Sequence, residues 1–225
     1  GNLAPIQRFY YIGPLFRRER PQKGRQRQFH QFGVEAFGSK FAEQEAETIA
    51  VAWHILSKCG LTENTTLLLN SIGTSECRSA YREALKHFLE PHLNDLSETS
   101  RKRLHHNPLR ILDTKNEKER SLLKDAPEIA DYYSKDDKEH LEEVKEFLSA
   151  MDIPFTINPS LVRGLDYYTK TVFEITSSDL GSQDALLGGG RYDDLVENLG
   201  GKPTPGIGLL REWNVFYLSL IHISE

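Results

Sequence analysis

The chain has only two cysteines in 225 residues, Cys59 and Cys77. Their separation fits no metal-ligand spacing, and so small a number points to free thiols in a reducing compartment, with cytoplasmic placement as the expectation. There is no apolar run of membrane length and no signal-peptide pattern, which excludes a membrane-spanning reading. The first residues are Gly1-Asn2-Leu3 rather than methionine, so the start is expected to be the interior of a longer protein. A Walker-type phosphate loop is missing, so a bound nucleoside triphosphate would need another scaffold. His105 and His106 are adjacent, but they lack partnering Cys or His at ligand spacing. In a Lys/Arg-rich stretch they read as exposed side chains, and no metal site is assigned.

With 38% hydrophobic and 27% charged residues, the chain can bury one substantial core with room for a small appended domain. Its formal charge is -5, yet Arg17, Arg18, Arg20, Lys23, Arg25 and Arg27 crowd one short loop with Glu19 as the only acid. A basic patch on a mildly acidic chain points to a bound polyanion. In the stretch that follows, a period of two places Phe29, Gln31, Gly33 and Glu35 on one face and His30, Phe32, Val34 and Ala36 on the other. Leu15, Arg17 and Glu19 share a face of the preceding segment, so a hairpin would bring Arg17 and Glu19 near the first row. Arginine offers a planar fork to phosphate, Phe29 a flat surface for a base, and Glu35 an acceptor for N–H groups. A solvated hairpin with ordinary surface arginines is the alternative, and the carboxylate and amide in the row favour a site.

Residues 41–58 predict a helix, with Ala42, Ala46, Ile49, Trp53 and Leu56 at helical spacing and Gly60 as its stop. Residues 65–70 read as a short apolar strand. Composition then changes at Gly73, and up to about residue 152 the pattern is helical, polar and punctuated by Pro91, Pro108 and Pro127, as in an inserted domain. Its clearest helix starts at Ser134 with Asp137 in a capping box, and Leu141, Val144, Leu148 and Met151 form its apolar stripe. Arg101-Lys102-Arg103 with His105-His106 is its most basic patch, open to RNA contact or to plain solvent exposure. Residues 155–159 and 167–177 read as strands, joined through a turn to 185–187, and the expected fold is α+β around an antiparallel sheet. Gly188-Gly189-Gly190 either lets the backbone approach a ligand or makes a bulge or tight bend. Residues 191–199 predict a short helix ended by Gly200-Gly201.

Three segments carry a resemblance. The run from Phe16-Arg17-Arg18-Glu19-Arg20 to Glu35 resembles motif 2 of class II aminoacyl-tRNA synthetases, in the form of the bacterial histidyl-tRNA synthetase family. Residues 161–169 with 171–174 (LVRGLDYYT and TVFE) resemble that family's histidine-specific motif, and residues 188–193 (GGGRYD) with Leu195-Val196 its glycine-rich segment. Three long motifs in order, spanning nearly all of residues 1–208, are more specific than any one glycine pattern. The resemblance implies a class II antiparallel sheet flanked by helices: a catalytic core in residues 1–72 and 154–208, a helical insertion at 73–153, and an unassigned tail at 209–225. It implies activation of L-histidine by Mg2+-bound ATP, transfer to tRNA(His), and a homodimer for the full-length parent.

By that resemblance Arg17 bridges the α-phosphate and the histidine carboxylate, with Arg163 on the opposite side as the second catalytic charge. Glu19, Arg25 and Phe29 join Arg17 in holding ATP, Glu19 accepting from the adenine amino group and Phe29 stacking on its ring. Arg17, Gln31, Glu35, Arg163, Tyr167, Tyr168 and Gly189 bind histidine, with Glu35 paired to the Tyr168 hydroxyl. Gln22, Lys23, Arg25 and Arg27 meet the tRNA acceptor end. Without the motif, Tyr167-Tyr168 reads as a pair of strand aromatics with one ring in the core. The chain also departs from the family. Motif 1 is absent, and the arginine of a third motif would fall near Val215, with Arg211 too early to substitute, so residues 209–225 read as non-family sequence. Two other readings stay open: a histidine-sensing regulatory subunit of ATP phosphoribosyltransferase, and a truncated interaction fragment without catalysis.

Overall fold

The structure is a computed structural model that describes residues 5–18, 26–163, 166–178 and 185–212. The strands are β1 Gln7–Phe16, β2 Gln28–Phe37, β3 Thr65–Ser71, β4 Thr156–Ile157, β5 Thr169–Ser177, β6 Ala185–Arg191 and β7 Gly206–Glu212. They form one sheet in the order β1-β2-β7-β6-β5-β3-β4. Every neighbouring pair is antiparallel except β3 and β4, which run parallel. The sheet is therefore mixed where an antiparallel one was expected. The long helical excursion between β3 and β4 is what permits a parallel return, since a hairpin cannot make one.

The helices are α1 Glu43–Lys58, α2 Ser75–Leu89, α3 Glu98–His106, α4 Glu117–Leu122, α5 Lys135–Ala150 and the single turn α6 Leu195–Asn198. The predicted stripe of α1 faces the sheet: Ala42, Ala46, Ile49 and Leu56 are fully buried and Trp53 is partly so. α5 starts on the predicted capping box, with the Ser134 hydroxyl and the Asp137 carboxylate bonded to each other's backbone N–H. Val144 and Leu148 join Phe32, Leu67, Leu69, Phe173 and Leu209 in the same core, so α1 and α5 cover one face of the sheet together. A second cluster joins α2, α3 and the turns after them to Val172, Tyr168 and Tyr192 on the opposite face. That leaves the middle of the second face open to a site.

Several expected boundaries change, and the strand read at residues 167–177 starts only at Thr169. The strand read at residues 155–159 shrinks to Thr156–Ile157, an edge pairing closed off by Pro154 and Pro159. The glycine triplet lies inside β6, with Gly190 and Arg191 opposite a register shift between Val172 and Thr169 of β5, and Arg191 ends that strand instead of starting a helix. Arg191 is fully buried because Glu45 of α1 meets it: Nε donates to Oε1 at 2.6 Å, Nη2 donates to Oε2, and Nη1 donates to the Ser39 carbonyl at 2.9 Å. His140 of α5 closes on the same carboxylate at 2.5 Å. Burial alone would raise the Glu45 pKa, but hydrogen bonds and charge from Arg191 and His140 outweigh it and hold the group below its ordinary value.

Candidate functional site

The open face is built by strand alternation. β1 pairs β2 with Leu15 opposite Phe29, Gly13 opposite Gln31, Tyr11 opposite Gly33 and Phe9 opposite Glu35. The hairpin expected from the sequence is thus present, and the Arg17 N–H extends it by donating to the Arg27 carbonyl at 2.8 Å. Across β2, Gln31 opposes Glu212 of β7 and Glu35 opposes Gly208. Across β6, Gly188 opposes Leu210 and Gly190 opposes Gly208. Across β5, Glu174 opposes Gly188. Phe29, Gln31, Gly33, Glu35, Glu174, Gly188, Gly190, Gly208 and Glu212 therefore share the face turned away from α1.

Four of these glycines form the floor, each overlain by a functional side chain. A Cβ on Gly33 would stand 2.5 Å from the Tyr11 phenol, and one on Gly188 would stand 2.5 Å from Nη1 of Arg163. On Gly190 it would stand 2.8 Å from the Tyr168 ring, and on Gly208 it would overlap the Glu35 carboxylate. Glycine is required here by proximity, not by backbone angle. Gly189 faces the other way: its Cβ would meet the Gly208 carbonyl at 2.1 Å and Phe173 at 2.8 Å in the core. Of the triplet, the flanking glycines open onto this face and the central one, expected at the histidine site, does not.

Arg17 and Arg163 lie on this same face. Arg17 sits over the Phe29 ring, 3.9 Å from its centroid, and its Nη2 pairs with Glu212. The ring surface expected to carry a base is thus covered on one side by the guanidinium. Arg163 pairs through Nη1 with Glu174 of β5. Each guanidinium rests on a carboxylate through one nitrogen, an acceptor that a phosphate oxygen can replace. Gln31 is buried and donates from Nε2 to the Tyr11 hydroxyl at 2.6 Å. Arg27 is exposed at the base of the loop. Glu19, Gln22, Lys23 and Arg25 lie outside the described residues.

Glu35 accepts from the hydroxyl of Tyr192, not from Tyr168 as the sequence suggested. Burial raises the Glu35 carboxyl above its ordinary range, and the Tyr192 bond offsets part of that rise. Tyr168 is buried, with its ring 4.7 Å from that of Tyr167, and Tyr167 meets Tyr192 edge-on at 5.9 Å. The three rings and Glu35 form one connected cluster. Tyr192 was missed as a site residue because residues 191–199 were read as helix. Extending the strand period from Gly188 and Gly190 to Tyr192 would have found it. A groove of about 940 Å³ runs between Leu68, Glu174 and Thr176 of the sheet and Lys115, Arg120 and Lys124 of the helical segment. Glu174, the partner of Arg163, lines this groove. Arg211 is on the opposite, helix-covered face, where burial pushes its pKa down to about 9.

The chain matches the family model described as Histidyl-tRNA synthetase over residues 2–210. It is 50% identical over 207 residues to a Histidine--tRNA ligase of Protochlamydia amoebophila (strain UWE25), an alignment that covers 92% of this chain and 49% of that protein. The crystal structure of apo S. aureus histidyl-tRNA synthetase superposes with a TM-score of 0.77 at 36% identity, covering 99% of this chain and 53% of that one. A Bacillus halodurans C protein described as an ATP phosphoribosyltransferase regulatory subunit/histidyl-tRNA synthetase shares the fold, with a TM-score of 0.65 at 21% identity. The chain spans about half the length of the curated relatives it matches.

Proposed function

The chain belongs to the histidyl-tRNA synthetase family, and on that premise we propose that it carries the histidine-activating half-site of a histidine–tRNA ligase. The observation that carries this reading is the gathering of Arg17, Arg163, Glu35, Tyr167, Tyr168 and Tyr192 over one glycine floor. Histidine's carboxylate oxygen attacks the α-phosphorus of Mg2+-bound ATP, the bond to pyrophosphate breaks, and the acyl-adenylate forms. Arg17 and Arg163 supply fixed positive charge on the two sides of the phosphorus, where negative charge accumulates, and each exchanges its carboxylate partner for phosphate. Arg17 also leaves the ring of Phe29 when the adenine stacks there. In the second step a hydroxyl of the terminal adenosine of tRNA attacks the acyl carbon and AMP departs.

Glu35 reads the substrate ring. A carboxylate held half-buried beside Tyr192 accepts from an imidazole N–H, and Gln31 with Tyr167 takes the α-amino end. An analogue without ring nitrogens leaves Glu35 without that partner, a loss that discriminates by on the order of 10⁴-fold. The arginine loop that ends at Arg27 reaches the acceptor end of the tRNA through phosphate contacts. Edge strand β1 exposes Tyr10, Ile12 and Phe16, an apolar strip suited to a homodimer partner. No helix among the described residues is long and apolar enough to cross a membrane, and the cytoplasm is the proposed location.

The test is histidine-dependent ATP–pyrophosphate exchange by the chain joined to the remaining half of a full-length relative, together with histidine and ATP binding. Glu35→Ala is expected to weaken histidine binding far more than ATP binding. Equal losses for the two ligands would overturn the role of Glu35. Histidine binding without exchange would leave a histidine sensor in place of an enzyme.

A further inference from the structure

We propose that Arg78, in the helical segment, is a positioning residue for the ring pocket, acting as a clamp on the backbone of residues 166–168. The inference rests on the histidine-pocket reading above and adds to it a residue outside all three motifs of the resemblance. Arg78 lies on α2 and is only 9% exposed. Its Nη1 donates to the Tyr168 carbonyl and, at 3.3 Å, to the Asp166 carbonyl. Its Nη2 donates to the Ser75 hydroxyl at 3.1 Å, and that hydroxyl donates to Asp194 at 2.8 Å. At the end of α3, Asn107 donates from Nδ2 to the Asp166 carboxylate.

Both clamped carbonyls precede β5, which starts at Thr169, so the sheet ladder does not hold them. A planar guanidinium on two carbonyls of one short loop fixes the loop's orientation as well as its place, which apolar packing alone does not do. The rings of Tyr167 and Tyr168 project from that loop. The Tyr168 ring lies across Gly190, and Tyr167 meets Tyr192, whose hydroxyl holds Glu35. The clamp therefore reaches the ring-reading carboxylate through a continuous set of contacts. By linkage, whatever histidine gains from an ordered pocket returns as tighter docking of α2 on the loop.

The test uses calorimetric titration of this chain with histidine and with ATP, and hydrogen exchange with and without histidine. Arg78→Met keeps the stem and removes the fork. It is expected to raise the histidine Kd about tenfold or more while the ATP Kd stays within about twofold. Added guanidinium ion is expected to restore part of the histidine affinity of Arg78→Ala, an effect that mere loss of packing does not produce. Ser75→Ala leaves the arginine in place but frees one side of it, and a rise of about two- to threefold in the histidine Kd is expected, so the idea stays testable if Arg78→Met does not fold. In the unsubstituted chain, histidine is expected to slow exchange at α2 amides. If both Kd values rise together in Ser75→Ala, or if histidine binds normally to a folded Arg78→Met, the clamp is overturned and the pocket stands. If the unsubstituted chain binds ATP but not histidine, the pocket reading fails and the clamp fails with it.

Discussion

Alanine at position 188 and alanine at position 189 are expected to fail in opposite ways, although the two glycines are adjacent in one strand. A Cβ at Gly188 would stand 2.5 Å from Nη1 and 2.7 Å from Cζ of Arg163, against an ordinary contact of 3.4 Å or more. The guanidinium must retreat by roughly 1 Å, and a misplacement of that size at a reacting centre costs about 10²-fold in rate. The fold loses little, because the obstructing atoms end a flexible side chain and alanine relieves a glycine penalty of roughly 0.5–1 kcal/mol. At Gly189 the Cβ would stand 2.1 Å from the Gly208 carbonyl and 2.9 Å from the Leu209 Cα, with the fully buried Phe173 ring at 2.8 Å. Backbone and core ring cannot yield, so overpacking of about 1–3 kcal/mol is expected. At roughly 2–4 °C per kcal/mol for a chain of this size, the melting temperature falls by about 6–12 °C near the upper end. Thermal unfolding by circular dichroism and the kcat of pyrophosphate exchange, measured on the same preparations, separate the two effects. Full kcat in Gly188→Ala, or an unchanged melting temperature in Gly189→Ala, would refute the assignment of strand faces.

Glu35 binds its proton more readily in the folded protein than in the unfolded chain, because burial raises its pKa. Its stabilising contribution is therefore complete below the ordinary carboxylate range and is lost as pH rises through the folded value, so at neutral pH its ionised form weighs against folding. Glu35→Gln is expected to raise the melting temperature at pH 7 by about 2–4 °C while lowering histidine affinity, and a lower melting temperature would contradict this. Glu45 has the opposite sign: its pKa is lowered, so its contribution is present above the ordinary value and is lost as pH falls through the folded one. Arg191→Met leaves that carboxylate buried with only His140 and the Thr171 hydroxyl and is expected to cost about 3–5 kcal/mol in urea unfolding at pH 7. The gap from the unsubstituted chain is expected to narrow below about pH 4, and a gap independent of pH would show that the pair matters only as volume.

Periodicity and local chemistry were enough for the parts that depend on near neighbours. The row of Phe29, Gln31 and Glu35 follows from alternation, and the buried stripe of α1 from helical spacing. The capping box of α5 involves residues three apart, so its evidence is local as well. Strand period assigns a side chain to a face, but it does not say which strand lies alongside or what covers the face. The exchange of Tyr192 for Tyr168 at Glu35, the opposite duties of Gly188 and Gly189, and the parallel pairing of β4 all depended on those neighbours. The buried meeting of Arg191, Glu45 and His140, and the hold of Arg78 on the loop at 166–168, join residues 90 to 146 positions apart. A charge inside a protein is decided by the partner that three-dimensional packing brings to it, and only the tertiary structure determined which partner that was.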